Sequence, residues 1–103
     1  MEFIETPVFT KQILQLLDDN SYRELQNELL INPELGKVIK GGGGIRKIRW
    51  ALPNRGKSGS IRIIYFYKNA NNQIYFLFAY PKNVADNLTD NQVHQLAKLV
   101  KEL

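Results

Sequence analysis

The side chains best suited to chemistry in this 103-residue sequence are three cations, Lys47, Arg49 and Arg62. Lys47 and Arg49 lie in "IRKIRW", residues 45–50, which alternates in the manner of a β-strand. Two strand residues that share a face are about 7 Å apart, at a rise of ~3.3 Å per residue. This distance roughly matches successive phosphates on one nucleic-acid strand. Both cations could therefore bind the same backbone.

Arg62 lies in "IRIIYFY", residues 61–67, whose β-branched and aromatic side chains indicate another strand. A charge among apolar neighbours is rarely buried without a partner. If Arg62 shares the face of Lys47 and Arg49, three cations converge with no acid nearby in the sequence. The alternative is that acids of the N-terminal helices neutralise them.

Lys82 follows "QIYFLFAY", residues 73–80, an almost wholly apolar run that predicts a central strand covered on both faces. An antiparallel meander brings Lys82 close to Arg49 or Arg62 in some registers only, so the sequence leaves its place open. Tyr80 adjoins the turn that follows and is a candidate site residue. Strand tyrosines are nevertheless more often core residues or cross-strand pairs than base-stacking platforms.

Charge is segregated along the chain. Residues 1–34 contain seven acids and two bases, whereas residues 35–85 contain ten lysines and arginines and no acid. Such a basic segment is typical of a protein with a polyanionic partner. The alternative is a solubilising surface, which normally mixes both signs.

Several classes of protein and site are excluded or disfavoured. The chain has no cysteine, so it forms no disulfide or thiolate metal site. No apolar run is long enough to span a membrane, and the N-terminus lacks the pattern of a signal peptide. We expect a soluble cytoplasmic protein that does not bind a membrane.

The sequence also lacks the residues that two common nuclease mechanisms require. His94 is the only histidine and is predicted to be a solvated surface residue, which excludes a histidine acid/base pair. The acid-free strands offer no ligands for a two-metal site. We expect no metal and no other cofactor.

The four consecutive glycines at 41–44 do not match a P-loop, because a strand and not a helix follows them. The Gly-Lys-Ser at 56–58 also has no helical pattern after it. We interpret the glycines as a turn that tolerates positive φ.

The first third of the chain predicts two helices. Thr6 is an N-cap before a proline, and helical spacing of apolar residues predicts helix 1 over 7–18. A capping-box pattern at 21–24 predicts the start of helix 2, which Pro33 ends.

The last helix is predicted to open at Thr89, with Gln92 completing a capping box. The three strands before it should form an antiparallel meander. The order of elements predicts a single α+β domain over 1–103, in which an N-terminal helical hairpin and a C-terminal helix pack on a small antiparallel sheet.

The ordered set "NPELGKVIKGGGGIRKIRW", "SIRIIYFY" and "YFLFAYPKN" resembles the RelE superfamily of bacterial toxins, and most closely its HigB-type subgroup. The likeness covers nearly the whole chain. It implies a RelE/ParE-like, microbial-RNase-type fold and a toxin of a type II toxin–antitoxin module. Most members of the family cleave mRNA in the ribosomal A site without a metal. A cognate antitoxin, expected here to be a helix-turn-helix protein, holds them inactive, and operator DNA is bound only through the antitoxin complex.

The resemblance places the basic site positions of the family on cations already selected: Lys47, Arg49, Arg62 and Lys82. RelE has a tyrosine at the start of its C-terminal segment, where this chain has Leu88. Tyr80 is the candidate to replace that tyrosine. A lysine at Lys82, where RelE has arginine, cannot clamp a phosphate bidentately.

The resemblance also implies a mechanism, in which the mRNA 2′-hydroxyl attacks the adjacent phosphate. Lys47 is the candidate base, since Arg49 and Arg62 would lower its pKa by like-charge repulsion. Arg62 would bind the scissile phosphate, and Arg49 or Lys82 would assist the leaving group. Three further basic residues are predicted to hold the rRNA or mRNA backbone: Arg46, Arg55 and Lys57.

Two other functions remain open from the sequence. A ParE-like toxin has the same fold but acts on DNA gyrase, and such toxins usually lack the three cations. The second alternative is a non-catalytic module that binds RNA or docks the antitoxin.

Overall fold

The computed structural model describes residues 1–52, 59–82 and 87–103. Within these ranges, five strands form one sheet in the order β1-β5-β4-β3-β2. They are β1 (Glu2–Glu5), β2 (Lys37–Val38), β3 (Ile45–Ala51), β4 (Ser60–Lys68) and β5 (Gln73–Pro81). The predicted meander of β3, β4 and β5 is confirmed. The sheet as a whole is mixed and not purely antiparallel, because β1 pairs with β5 in parallel.

In the described part of the chain, three α-helices complete the α+β fold: α1 (Pro7–Leu16), α2 (Asp19–Ile31) and α3 (Asp90–Lys101). The Thr6 hydroxyl accepts from the Phe9 amide and the Thr89–Gln92 capping box is complete, as predicted. The predicted capping box at Ser21 is wrong. The Asp18 carboxylate accepts from the Ser21 amide at 2.7 Å, so α2 begins before Ser21 and buries it. None of the helices among the described residues is long and apolar enough to cross a membrane.

The sheet is covered on both faces, as the apolar character of β5 predicted. Apolar side chains of α1 and α2 pack on one face, which we call the α1–α2 face. Those of α3 pack on the other, the α3 face. Alternation along β3 places Ile48 and Trp50 against the α1–α2 core, and Ile45 against the α3 core. Lys47 and Arg49 follow Ile45 on the α3 face.

A β-bulge between β4 and β5 decides which residues reach the α3 face at the end of β5. Ile64 pairs with Phe78 and Tyr65 pairs with Phe76, so Leu77 is an extra residue. Leu77 and Phe78 consequently both pack on the α3 side. The bulge turns Tyr80 to the α3 face as well.

The glycine stretch is a turn between β2 and β3, and its predicted tolerance of positive φ is confirmed. Gly41, Gly43 and Gly44 have φ values of 78°, 71° and 108°. At Gly44 a Cβ atom would also lie 3.1 Å from the Phe66 ring. β3 follows the turn and enters the sheet in the register that places Lys47 and Arg49 on the α3 face.

Tyr65 fastens the chain before β2 to the core. Its hydroxyl donates to the Pro33 carbonyl at 2.8 Å and accepts from the Gly36 amide at 2.9 Å, and its side chain is fully buried. We expect Tyr65→Phe to lower the free energy of unfolding by about 1–3 kcal/mol, because both backbone groups lose their partner. Urea unfolding measures the loss. The matched control is Tyr67→Phe, whose hydroxyl bonds an exposed side chain, and which should change stability by less than about 0.5 kcal/mol.

Tyr22 links α2 to β1, since its hydroxyl donates to Glu5 Oε2 at 2.5 Å. Burial raises the Tyr22 pKa well above its ordinary value, and the hydrogen bond and charge of Glu5 raise it further. The unfolded chain therefore loses this proton above pH ~10 while the native state retains it, and stability falls as pH rises. We expect Tyr22→Phe to make that fall shallower without abolishing it, since the Tyr65 pKa is also raised by burial. Urea unfolding on either side of pH ~10 compares the slopes, and equal slopes would contradict the assignment.

Candidate functional site

The register of the meander brings the predicted site residues into one row on the α3 face. Arg49 on β3 lies directly opposite Arg62 on β4, and Arg62 lies directly opposite Tyr80 on β5. Directly opposed side chains begin about 4.5–5.5 Å apart at their Cβ atoms. Two guanidinium groups and a phenol thus share one strip across three strands.

Lys47 lies one row away on the same face. It is opposite Ile64 on β4 and opposite Lys37 on β2. Its Nζ donates to Asn87 Oδ1 at 2.7 Å. The amide of Asn87 therefore ties Lys47 to the segment that leads into α3.

Arg62 is buried, with 3% of its surface exposed, whereas Arg49 is exposed. Its Nη1 donates to Ser60 Oγ at 3.0 Å. Tyr80 is buried beside it, and its ring centroid lies 5.7 Å from that of Phe78. A phosphate reaches Arg62 only if the side chains that cover it move aside.

Lys82 continues β5 past the row. Its amide donates to the Ser60 carbonyl at 3.1 Å, which places Lys82 beside the residue that holds Arg62. Its side chain is exposed. The sequence did not determine the register of β5. In the structure, the register is one that brings Lys82 next to the cations.

Arg46 faces the opposite way. Its Nη1 donates to the carbonyls of Gly36 at 2.8 Å and Glu34 at 3.2 Å, and its Nη2 lies 3.8 Å from Glu34 Oε2. These contacts hold the chain that precedes β2, so they give Arg46 a structural role. Its predicted contact with RNA stays a prediction, and the same predictions for Arg55 and Lys57 lie outside the described residues.

The N-terminal helices lie across the sheet from Arg62. α1 and α2 cover the α1–α2 face, whereas Arg62 and Tyr80 point to the α3 face. The expected alternative, neutralisation by those helices, therefore has no geometric support at Arg62. His94 is exposed on α3, as predicted.

This arrangement can bind a phosphodiester and stabilise the extra charge of a pentacovalent phosphate. Arg62 and Arg49 offer planar N–H donors that match phosphate oxygens, and Lys47 offers an amine that can take or give a proton. Cations fixed before the reaction stabilise developing charge without reorganising.

Three residues that hold or extend the site were missed from the sequence: Ser60, Lys37 and Asn87. Ser60 is two residues before Arg62, so strand alternation could have placed it on the same face. Lys37 required the recognition of β2, a strand of two residues. Asn87 is 40 residues from Lys47, and no local pattern joins them.

Comparison with known proteins agrees with this architecture. Residues 30–103 match the family model described as the RelE toxin of the RelE/RelB toxin–antitoxin system. The fold is similar to that of a double arginine-to-alanine variant of Escherichia coli toxin RelE in the free state, with a TM-score of 0.62 and 15% identity over 99% of this chain and 96% of that one. It is also similar to a chain of the intact E. coli RelBE toxin–antitoxin complex, with a TM-score of 0.54 and 18% identity over 78% of this chain and 94% of that one.

Proposed function

Since this chain belongs to the RelE toxin family, we propose that it is a metal-independent endoribonuclease that cleaves translated mRNA in the ribosomal A site. A cognate antitoxin, which we expect to be a helix-turn-helix protein, neutralises it. The toxin acts in the cytoplasm, where it meets ribosomes. It contacts operator DNA only through the antitoxin.

The observation that carries this proposal is the shared face of Lys47, Arg49 and Arg62. The strands that bear them contribute no carboxylate, and Tyr80 completes the row. A toxin that acts on gyrase does not need three cations on one face of the sheet. We therefore favour RNA cleavage. A non-catalytic RNA-binding module would need the cations but not their convergence on one phosphate.

The proposed reaction begins with the mRNA 2′-hydroxyl. Lys47 takes its proton, the 2′-oxygen forms a bond to the adjacent phosphorus, and the bond from phosphorus to the 5′-oxygen breaks. The products are a 2′,3′-cyclic phosphate and a 5′-hydroxyl. Lys82 is suited to give the 5′-oxygen its proton, because it is a titratable amine at the exposed end of the row.

The two arginines act through charge in this scheme. Arg62 binds the non-bridging oxygens of the scissile phosphate, where negative charge develops. Arg49, directly opposite Arg62, neutralises the same group from β3. Arginine stays protonated at any working pH, so neither is assigned a proton transfer.

Primer extension on an mRNA, translated and untranslated, tests the proposal. We expect cuts at codon positions only when ribosomes are present, and a cyclic phosphate at the new 3′ end. Poisoned gyrase without cuts would favour the ParE-like alternative, and neither activity would favour the binding module. The HigB-type subgroup stays a prediction, which an antitoxin gene downstream of the toxin gene would support.

A further inference from the structure

The edge of β3 is only partly covered by β2. The two strands pair through Lys37 with Lys47 and Val38 with Arg46. β3 continues to Ala51, and in the described part of the chain no strand pairs with that last portion on this side. An open stretch of sheet edge therefore begins directly beside Lys47.

A pocket of about 610 Å³ lies along this edge. Trp50 and Leu35 form part of its apolar lining, and Lys37, Lys47 and Arg49 contribute positive charge. Lys47 and Arg49 belong also to the cationic site on the α3 face. The pocket thus shares Lys47 and Arg49 with the cationic site.

We propose that this pocket holds a nucleobase of the mRNA next to the cleaved bond. The inference rests on the proposed function. The Trp50 ring stacks on the base, while Lys37 binds the phosphate that follows along the open edge. Stacking on an aromatic side chain is worth about 1–3 kcal/mol per base, and single-stranded RNA is commonly recognised in this way.

The charge of the pocket favours RNA over a peptide strand. An added peptide strand would gain its affinity mainly from backbone pairing with β3 and would need apolar pockets for alternate side chains. Here three cations line the same pocket as the aromatic ring, and a backbone phosphate satisfies them directly. Two of the three are already assigned to a phosphodiester.

Glu28 of α2 also lines the pocket and suggests which base it prefers. A carboxylate accepts hydrogen bonds and donates none when ionised. Among the four RNA bases, guanine alone presents two adjacent N–H donors on its Watson–Crick edge, which match the two carboxylate oxygens. Glu28 therefore selects guanine in this pocket.

Trp50 is the only tryptophan of the chain, so its fluorescence reports on the pocket directly. The probe is a set of short oligoribonucleotides with 2′-O-methyl groups, which cannot be cleaved, each carrying one of the four bases. Anisotropy of a labelled copy measures binding independently. We expect quenching of Trp50 at the RNA concentrations that produce binding, and the tightest binding for guanine.

Two pairs of exposed residues each supply a test variant and its matched control: Lys37 with Lys40, and Glu28 with Glu24. Lys37→Ala should weaken binding severalfold, whereas Lys40→Ala, outside the pocket, should bind like the wild type. Glu28→Gln should abolish the preference for guanine, and Glu24→Gln, one turn away on α2, should keep it. Both glutamates are exposed, so neither change threatens the fold.

Absence of RNA binding, or binding without a change in Trp50 emission, would overturn the inference. If the wild type still cut mRNA on ribosomes, the proposed function would stand and the pocket assignment alone would fail. Quenching with guanine preference but no cleavage would uphold the pocket and reject the endonuclease. Protection of the Arg49 and Ala51 amides from hydrogen exchange by the antitoxin, with no response to RNA, would assign the edge to a peptide strand.

Discussion

We expect that replacing Arg62 with alanine lowers the proposed ribosome-dependent cleavage by about 100-fold or more, the cost of one lost transition-state contact of ~2.7–4 kcal/mol. Arg62 is the central member of the row, opposite both Arg49 and Tyr80. Its burial and its hydrogen bond to Ser60 fix the guanidinium before substrate arrives. In the proposed reaction this charge acts where negative charge develops in the transition state, so its loss should lower kcat more than it raises KM.

Because Arg62 is buried, a loss of activity has to be separated from a loss of fold. Arg62→Met keeps most of the volume and removes the charge. We expect the methionine variant to remain folded and to cleave as poorly as the alanine variant. Arg62→Lys should retain part of the activity, since it keeps the charge but not the planar fork.

Single-turnover cleavage on stalled ribosomes, together with urea unfolding of each variant, measures both effects. Arg23→Ala, an exposed arginine on α2, is the control for a lost surface charge. An Arg62→Met protein that is folded and as active as the wild type would eliminate Arg62 from the chemistry and, with it, the cationic site.

The part of the site that could be predicted depends on local periodicity. Lys47 and Arg49 share a face of the sheet because side chains alternate along β3. Neighbouring elements do not alter this alternation. The pairing of Arg62 with Arg49 required only that β3 and β4 be consecutive and antiparallel. Capping at Thr6 and Thr89 is similarly local.

The remainder depends on contacts that no short window contains. The bulge at Leu77 reverses the alternation of β5, and without it Tyr80 would point into the α1–α2 core. β1 lies beside β5 in parallel, a pairing between Glu2–Glu5 and residues far along the chain that begin at Gln73. β2 is too short to show a period, so Lys37 and the edge pocket could not be anticipated.

Replacing Phe76 with alanine destabilises the protein by about 3–5 kcal/mol, the usual cost of deleting a buried aromatic ring. The Phe76 ring is fully buried, and its centroid lies 4.8 Å from that of Phe9 and 5.6 Å from that of Phe3, both nearly parallel to it. These contacts join β5 to α1 and to β1. The loss is a large share of the ~5–15 kcal/mol that stabilises a typical domain.

Phe76 and Arg62 point to opposite faces of the sheet, which makes their effects separable. We expect Phe76→Ala to shift the urea midpoint strongly while the folded fraction cleaves mRNA at the wild-type rate. Leu14→Ala, at a side chain 72% exposed on α1, is the control and should change stability by less than about 0.5 kcal/mol. A folded Phe76→Ala protein with impaired cleavage would show that the α1–α2 core positions the cations through the sheet. Unaltered stability would refute the core assignment, because a buried ring of this size leaves a cavity that the neighbouring rings of β1 and α1 cannot fill without moving.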